Sequence, residues 1–411
     1  MKILMINKFL YPRGGDAIST LATGRLLERH GHEVIFWGMK HPSNPPYPHG
    51  NLFVDNLDLN NAGGLRGQMA IAAKLLYSFE ARNKMEALIR RIGKPDIVHV
   101  NNFAHQISPS ILSVFKKNRI PVVMTMHDYK LVCAAYAMLS AGQVCDRCTG
   151  GAYFQCFNNR CVKNSRVKSL LNTLEMYLHH RVLNIYSGIQ IFISPSVFMK
   201  TKVAAMGFKG TTVHLPNFID AQAFRPEYGT KEVSAVYFGR VSAEKGIATL
   251  IEAVRGLPLT LKIIGDGPLR TSLQEKVKQE GITNVFFPGY MAGEALHDEV
   301  RRALFVVLPS EWNENNPLSV LEAFALGKPV IGARIGGIPE LVRDHETGLT
   351  FISGNRNDLS DKIRHFLQAP DEAAAMGRRA RGVVEREYSA GKFYERLMRL
   401  YNHSINNEDL L

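Results

Sequence analysis

Short apolar runs alternate with longer segments whose apolar residues recur every three or four positions, and this alternation continues through most of the chain. The runs predict buried strands and the longer segments amphipathic helices, the βαβ pattern of a parallel sheet. In the first half the strands are read at KILMIN, EVIFWG, DIVHV, PVVMTM, IQIFIS and TVHLP, with helices near 16–30, 66–92, 106–118, 166–186 and 196–206. The rhythm stops at PNFIDAQAFRPEYGTKE, where Pro216, Pro226 and Gly229 lie in a polar stretch that reads as a linker. It restarts with VSAVYFG and continues through LTLKIIG, NVFFPG, LFVVLP and KPVIGA.

The expected architecture is therefore α/β: two Rossmann-like parallel-sheet domains in tandem, 1–215 and 216–389, with the amphipathic end of the chain, 390–411, packing back on the first. In doubly wound sheets ligands collect beyond the carboxyl ends of the strands, so a cleft between the two domains is the expected site. Length agrees, because 411 residues are too many for one hydrophobic core. No apolar run reaches the roughly 18 residues of a spanning helix. The opening MKILMINKFLYPRGG is broken by Asn7 and Lys8 and lacks a small-residue cleavage site, so it reads as a first strand rather than a signal peptide. A cytoplasmic protein is the expectation.

Charge adds a partner class. Fifty Lys+Arg against 37 Asp+Glu give +13, and residues 160 to 210 carry Arg160, Lys163, Arg166, Lys168, Arg181, Lys200, Lys202 and Lys209 against Glu175 alone. One reading is a solvated basic face; the other is a patch that rests on anionic lipid headgroups or a lipid-linked phosphate at the inner face of a membrane. Nucleic acid is disfavoured, since no aromatic-basic interleaving accompanies the charge.

The candidate chemistry centres on SEWNENNPLSVLEAFALGKPV, residues 310 to 330. Pro317 suits the first turn of a helix and Gly327 its end. Glu314 then lies in the loop above the helix start, and Glu322 about 7–8 Å along the axis from Pro317 at 1.5 Å per residue. A helix N-terminus attracts phosphate, whereas a carboxylate accepts two hydrogen bonds from a vicinal diol. The arrangement suits a diphosphate with a hydroxylated ring at each end, as in a nucleotide sugar; the plainer reading makes Glu314 a loop acid and Glu322 a surface residue. In FGRVSAEKG, Arg240 and Lys245 are placed to converge on the same diphosphate. Gly14 and Gly15, between the first strand and first helix, would let backbone N–H groups approach a phosphate or sugar, although neither YPRGGDAIST nor GDGPLR is G-x-G-x-x-G. His127, with Asp128, follows the buried strand PVVMTM at a ligand-facing position.

Taken together, PRGG, HDY, SPS, NFID, FGRVSAEKG, GDGP and PSEWNENNPLSVLEAFALGKPVIGARIGGIPELV resemble glycosyltransferase family 4, retaining enzymes of the glycosyltransferase B fold, in order and over nearly the whole chain. The resemblance implies that Glu314 contacts hydroxyls of the donor sugar, Glu322 holds the ribose, Arg240 and Lys245 bind the diphosphate, Gly15 lies near the reacting centre and His127 near the transferred sugar. It implies transfer with retention, without a protein nucleophile and without an active-site metal ion or other cofactor. One departure stands out: Asn315, Asn316 and Pro317 replace the Gly-Phe-Gly of many members. Pro317 offers no N–H, so the side chains of Asn315 and Asn316, with Leu318 behind them, become the candidate donor contacts in place of the loop backbone.

Five cysteines fall within 133–161, an insertion directly after HDY and hence on the acceptor side. Cys145 and Cys148, two residues apart, then Cys156 and Cys161, four apart, fit tetrathiolate zinc ligation, with free thiols and disulfides as the other readings. A reducing compartment disfavours disulfides, and the seven-residue spacer is short for a zinc ribbon. The function expected is transfer from a UDP- or GDP-sugar to a glycan or lipid-linked glycan in surface polysaccharide or glycolipid synthesis. The rivals are a sugar-nucleotide epimerase on the same scaffold and a catalytically silent nucleotide-sugar-binding protein.

Overall fold

The computed structural model describes residues 1–56, 64–104, 107–229 and 232–406. The chain divides into two compact units: Met1–Ser140 with Cys145–Leu215 and Tyr394–Leu411, and Pro216–Phe393 with the short piece Ala141–Val144.

The first unit is built on β1 (Lys2–Ile6), β2 (Glu33–Trp37), β3 (Ile97–Val100), β4 (Val122–Thr125), β7 (Ile191–Ser194) and β8 (Thr212–His214), with β5 (Leu139–Ser140) and β6 (Gln143–Val144) pairing separately. Its six-stranded sheet runs β2-β1-β3-β4-β7-β8, all parallel. β3, β4 and β7 are apolar on both faces, as expected where helices cover both sides. The helix Ala390–Asn406 closes one side through Tyr401, whose hydroxyl lies 2.7 Å from His99 Nδ1, while His99 Nε2 lies 2.7 Å from Thr125 Oγ1. Burial holds His99 neutral, its pKa lowered to about 3.

The second unit carries β9 (Ser234–Phe238), β10 (Thr260–Ile264), β11 (Val285–Gly289), β12 (Phe305–Leu308), β13 (Val330–Ala333) and β14 (Gly348–Phe351) in the parallel order β11-β10-β9-β12-β13-β14. In each sheet the chain moves outward on one side of its first strand and returns on the other, so the topological switches fall between β1 and β3 and between β9 and β12. Ligands are expected beyond the carboxyl ends of these pairs.

The sequence pattern missed β14 and the β5–β6 pair. It also ran two helices together over 66–92. They are Gly64–Leu76 and Phe79–Ile92, because Ser78 adopts an extended backbone and its side chain accepts the Ala81 N–H, starting a new helix. The helix expected at 106–118 is a 3₁₀ turn, Pro109–Ile111, followed by Leu112–Lys117; residues 105–106 lie outside the described residues. Among the described residues no helix is long and apolar enough to cross a membrane.

Candidate functional site

The loop after β9 turns at Gly246, whose φ of 65° and close packing on the Pro309 carbonyl exclude any side chain. That contact brings Lys245 beside the loop after β12, and Lys245 Nζ lies 2.5 Å from Glu314 Oε1. Ser310 Oγ donates to the same oxygen at 2.7 Å. Glu314 is buried; burial alone would raise its pKa, but the Lys245 charge and hydrogen bond outweigh it and hold the carboxyl below its ordinary value. Gly336, at φ 59°, packs on the Glu314 backbone, and Gly337 N–H donates to Glu314 O at 2.8 Å. Ser310 and Gly336 were not singled out from the sequence, although the IGG of 335–337 was a usable signal.

Glu322 stands differently. It sits in the second turn of the helix Leu318–Ala325, partly exposed, and among the described residues no donor reaches its carboxylate. Burial without compensation raises its pKa to about 7. The Arg240 guanidinium is exposed and likewise has no side-chain or backbone acceptor among the described residues. An unpartnered carboxylate in the second turn of a helix, an unpartnered guanidinium and a neutralised Lys–Glu pair thus lie on the segments that follow β9 and β12.

Two expectations for this loop change. Pro317 is the N-cap, at φ −68° and ψ 119°, so Leu318 supplies the first helical N–H. Asn316 is committed to the protein: its side-chain oxygen accepts the Asn217 N–H at 3.1 Å and its carbonyl accepts from the Asn217 side chain at 2.8 Å. It anchors the NFID segment through both of its oxygens, so of its side chain only the NH2 is left for a ligand. Asn315 is partly exposed in the same loop.

The first unit holds the other candidates. A hollow of about 360 Å³ is lined by Asn101, Asn102, His127, Asp128, Lys130 and Tyr186 among others. His127 Nε2–H donates to the Asn101 side-chain oxygen at 2.9 Å. Burial lowers the His127 pKa against the opposing pull of Asp16 and Asp128, and burial raises that of Asp128. Lys130 Nζ pairs with the buried Glu175 at 2.7 Å. Glu175, the one acid of the basic stretch, is therefore an interior group and not part of its surface. Gly14 has an ordinary extended backbone, φ −168° and ψ 175°, as N-cap of the helix Gly15–Arg29, so its conformation does not require glycine. At Gly15 a Cβ would meet nothing within 4 Å, which leaves the helix start open to a ligand.

All five cysteines are free thiols. Among the described residues no group of three or more His, Cys, Asp or Glu is placed to hold a metal ion, so the tetrathiolate reading of Cys145, Cys148, Cys156 and Cys161 finds no support. Cys133, Cys145, Cys148, Cys156 and Cys161 border one hollow of about 270 Å³, shared with Met138, Leu139 and Met206.

Two family models match: "Glycosyltransferase Family 4" over residues 13–223 and "Glycosyl transferases group 1" over 219–383. The chain is 28% identical over 184 residues to the alpha-D-kanosaminyltransferase of Streptomyces kanamyceticus, covering 43% of this chain and 47% of that one. It is 25% identical over 311 residues to the sulfoquinovosyl transferase SQD2 of Arabidopsis thaliana, covering 71% and 54%. The matches thus span about half the length of these two relatives. The N-acetyl-alpha-D-glucosaminyl L-malate synthase of Bacillus anthracis aligns over 98% of both chains at 24% identity. Among solved structures, the sucrose-phosphate synthase of Thermosynechococcus elongatus superposes with TM-score 0.73 at 20% identity, covering 99% of this chain and 100% of that one. Anabaena HepE in complex with UDP and glucose superposes with TM-score 0.68 at 17% identity, covering 97% and 99%. At these identities the structures speak to the fold.

Proposed function

Because the chain belongs to glycosyltransferase family 4 and is a glycosyltransferase of the GT-B fold, we propose that it moves a hexose-type sugar from a UDP- or GDP-sugar to a lipid-linked glycan with retention at the anomeric carbon. The observation that carries this reading is Glu322: a carboxylate without a donor, one helical turn behind N–H groups that suit phosphate. A ribose diol supplies the two donors it lacks.

In this reading the diphosphate lies over the start of the helix Leu318–Ala325, with Arg240 as the uncompensated cation. The Lys245 ammonium has three N–H donors. One is held by Glu314, which leaves two for phosphate oxygens while the carboxylate fixes their direction. The anomeric carbon–oxygen bond breaks toward the diphosphate and its growing charge is met by these two cations. The acceptor hydroxyl oxygen forms the new bond on the same face, and its proton passes to the departing phosphate oxygen. No protein nucleophile enters, and with Arg240 and Lys245 in place the scheme requires no metal ion at the diphosphate. Glu314, beside Lys245, faces the donor sugar, with Asn315 in the same loop and Leu318 at the start of the helix that follows.

The lipid-linked acceptor is supported by the helix Arg166–Tyr177, which exposes Val167, Leu170 and Leu174 along one face among Arg166 and Lys168. An apolar strip with basic flanks suits an anionic bilayer surface, here the cytoplasmic one.

A thermal-shift screen across nucleoside diphosphates tests the donor half. Selective stabilisation by UDP or GDP is expected, and a flat response to every nucleoside diphosphate would remove the donor assignment.

A further inference from the structure

The helix Phe154–Asn158 ends in a Schellman corner. Arg160 takes φ 48°, its N–H donates to Phe157 O at 3.2 Å, and the Cys161 N–H donates to Cys156 O at 3.1 Å. In that motif the residues joined by the longer backbone bond also bring their side chains together, usually as an apolar contact. Here both are cysteines, and both side chains border the same hollow of about 270 Å³.

The two sulfurs are unequal. Cys156 is 1% exposed, whereas Cys161 is partly exposed, 4.0 Å from Ser140 Oγ and within the field of the Arg147 guanidinium. A reactive thiol needs access and a stabilised thiolate, and a resolving thiol needs only contact. The remaining three cysteines lack that combination: Cys133 and Cys148 are buried, and Cys145 is not part of the corner.

We propose that Cys156 and Cys161 form a peroxide-sensitive dithiol, in which Cys161 is the attacking sulfur and Cys156 the resolving one. The Cys161 thiolate attacks one oxygen of hydrogen peroxide, the O–O bond breaks, and the leaving hydroxide takes a proton to become water, so Cys161 is oxidised to a sulfenic acid. The Cys156 sulfur then attacks the Cys161 sulfur, the S–OH bond breaks, and the thiol proton leaves with the hydroxyl as a second water. The product is a disulfide across the corner, and two electrons in all have passed to the peroxide. The neighbouring Cys156 thiol, with Ser140 and Arg147 behind it, outweighs burial and lowers the Cys161 pKa to about 6, which supports the assigned order.

The test is peroxide titration of the reduced full-length protein, followed by alkylation, digestion and peptide mapping. Trypsin cuts after Arg160, so the two cysteines fall on separate peptides held together only by the bond in question. The expected result is a Cys156–Cys161 disulfide as the first product, reversed by dithiothreitol, with Cys133, Cys145 and Cys148 still alkylated. In Cys156→Ser the reaction stops at a Cys161 sulfenic acid that dimedone traps; in Cys161→Ser the disulfide is absent and Cys156 stays reduced. A first disulfide using any other cysteine would overturn the proposal, as would a Cys161 that oxidises no faster than Cys133. Stoichiometric zinc in the purified protein, with thiols that react only after chelation, would overturn it too. The wild-type map decides the matter even if a variant folds poorly.

Discussion

Lys245 Nζ lies 2.5 Å from Glu314 Oε1, so the cation assigned to a diphosphate and the carboxylate assigned to a sugar are partners of each other before any ligand arrives. Both side chains are largely out of water, at 19% and 8% exposure. Removing one partner of such a pair typically costs roughly 3–5 kcal/mol, because the other charge is left buried and uncompensated.

Lys245→Ala is therefore expected to lower transfer by about tenfold or more, some 1.4 kcal/mol in the barrier per decade, and also to lower the melting temperature. The double variant Lys245→Met, Glu314→Gln is expected to recover the melting temperature without recovering turnover. Near-normal turnover in either variant would show that the pair does not act on the diphosphate.

Arg240 supports no part of the fold with its side chain, so Arg240→Ala should leave the melting temperature unchanged. Calorimetric titration is expected to show at least about tenfold weaker binding of the nucleoside diphosphate, a charge-assisted contact being worth about 1.5–3 kcal/mol, with little change for the nucleoside. Equal losses for both ligands would place Arg240 away from the phosphates.

Glu322 makes stability and binding depend on pH in opposite ways. Its folded pKa of about 7 exceeds the ordinary carboxylate value, so between roughly pH 4.5 and 7 the folded chain binds more protons than the unfolded one, and stability falls as pH rises. Glu322→Gln should melt higher than wild type at pH 8 and close to it at pH 4.5. Donor binding, which uses the ionised carboxylate, should strengthen over the same rise in pH and release a proton. A variant with the same offset from wild type at both pH values would contradict the account.

His99 shifts in the other direction. Held neutral to about pH 3 in the fold against roughly 6.5 when unfolded, it contributes stability that is complete above pH 6.5 and lost as pH falls toward 3. Tyr401→Phe removes one of its two hydrogen bonds and should cost about 1 kcal/mol at neutral pH. Chemical denaturation checks both, and a His99→Gln variant should show a shallower acid limb than wild type.

Much of the fold was readable because buried parallel strands announce themselves as apolar runs; β14, Gly348–Phe351, escaped because GLTF is short and polar at Thr350. The candidate residues of the second unit were readable as residue types but not as partners, since the pairing of Lys245 with Glu314 depends on Gly246 against Pro309, sixty-three positions apart. The structural role of Asn316 was hidden for a related reason. Its partner, Asn217, lies ninety-nine residues away and looks like linker in one dimension. Glu175 shows the same limit, being a lone acid in a basic stretch by sequence and the buried counter-ion of Lys130 in space.

The final helix carries one more consequence. The division between units falls inside it, after Phe393, and its distal part belongs to the unit that begins at Met1. One nick near Pro216 would consequently liberate neither half. A truncation upstream of Tyr401 would leave His99 without its cover, so a cut late in this sequence should injure the sheet that opens it.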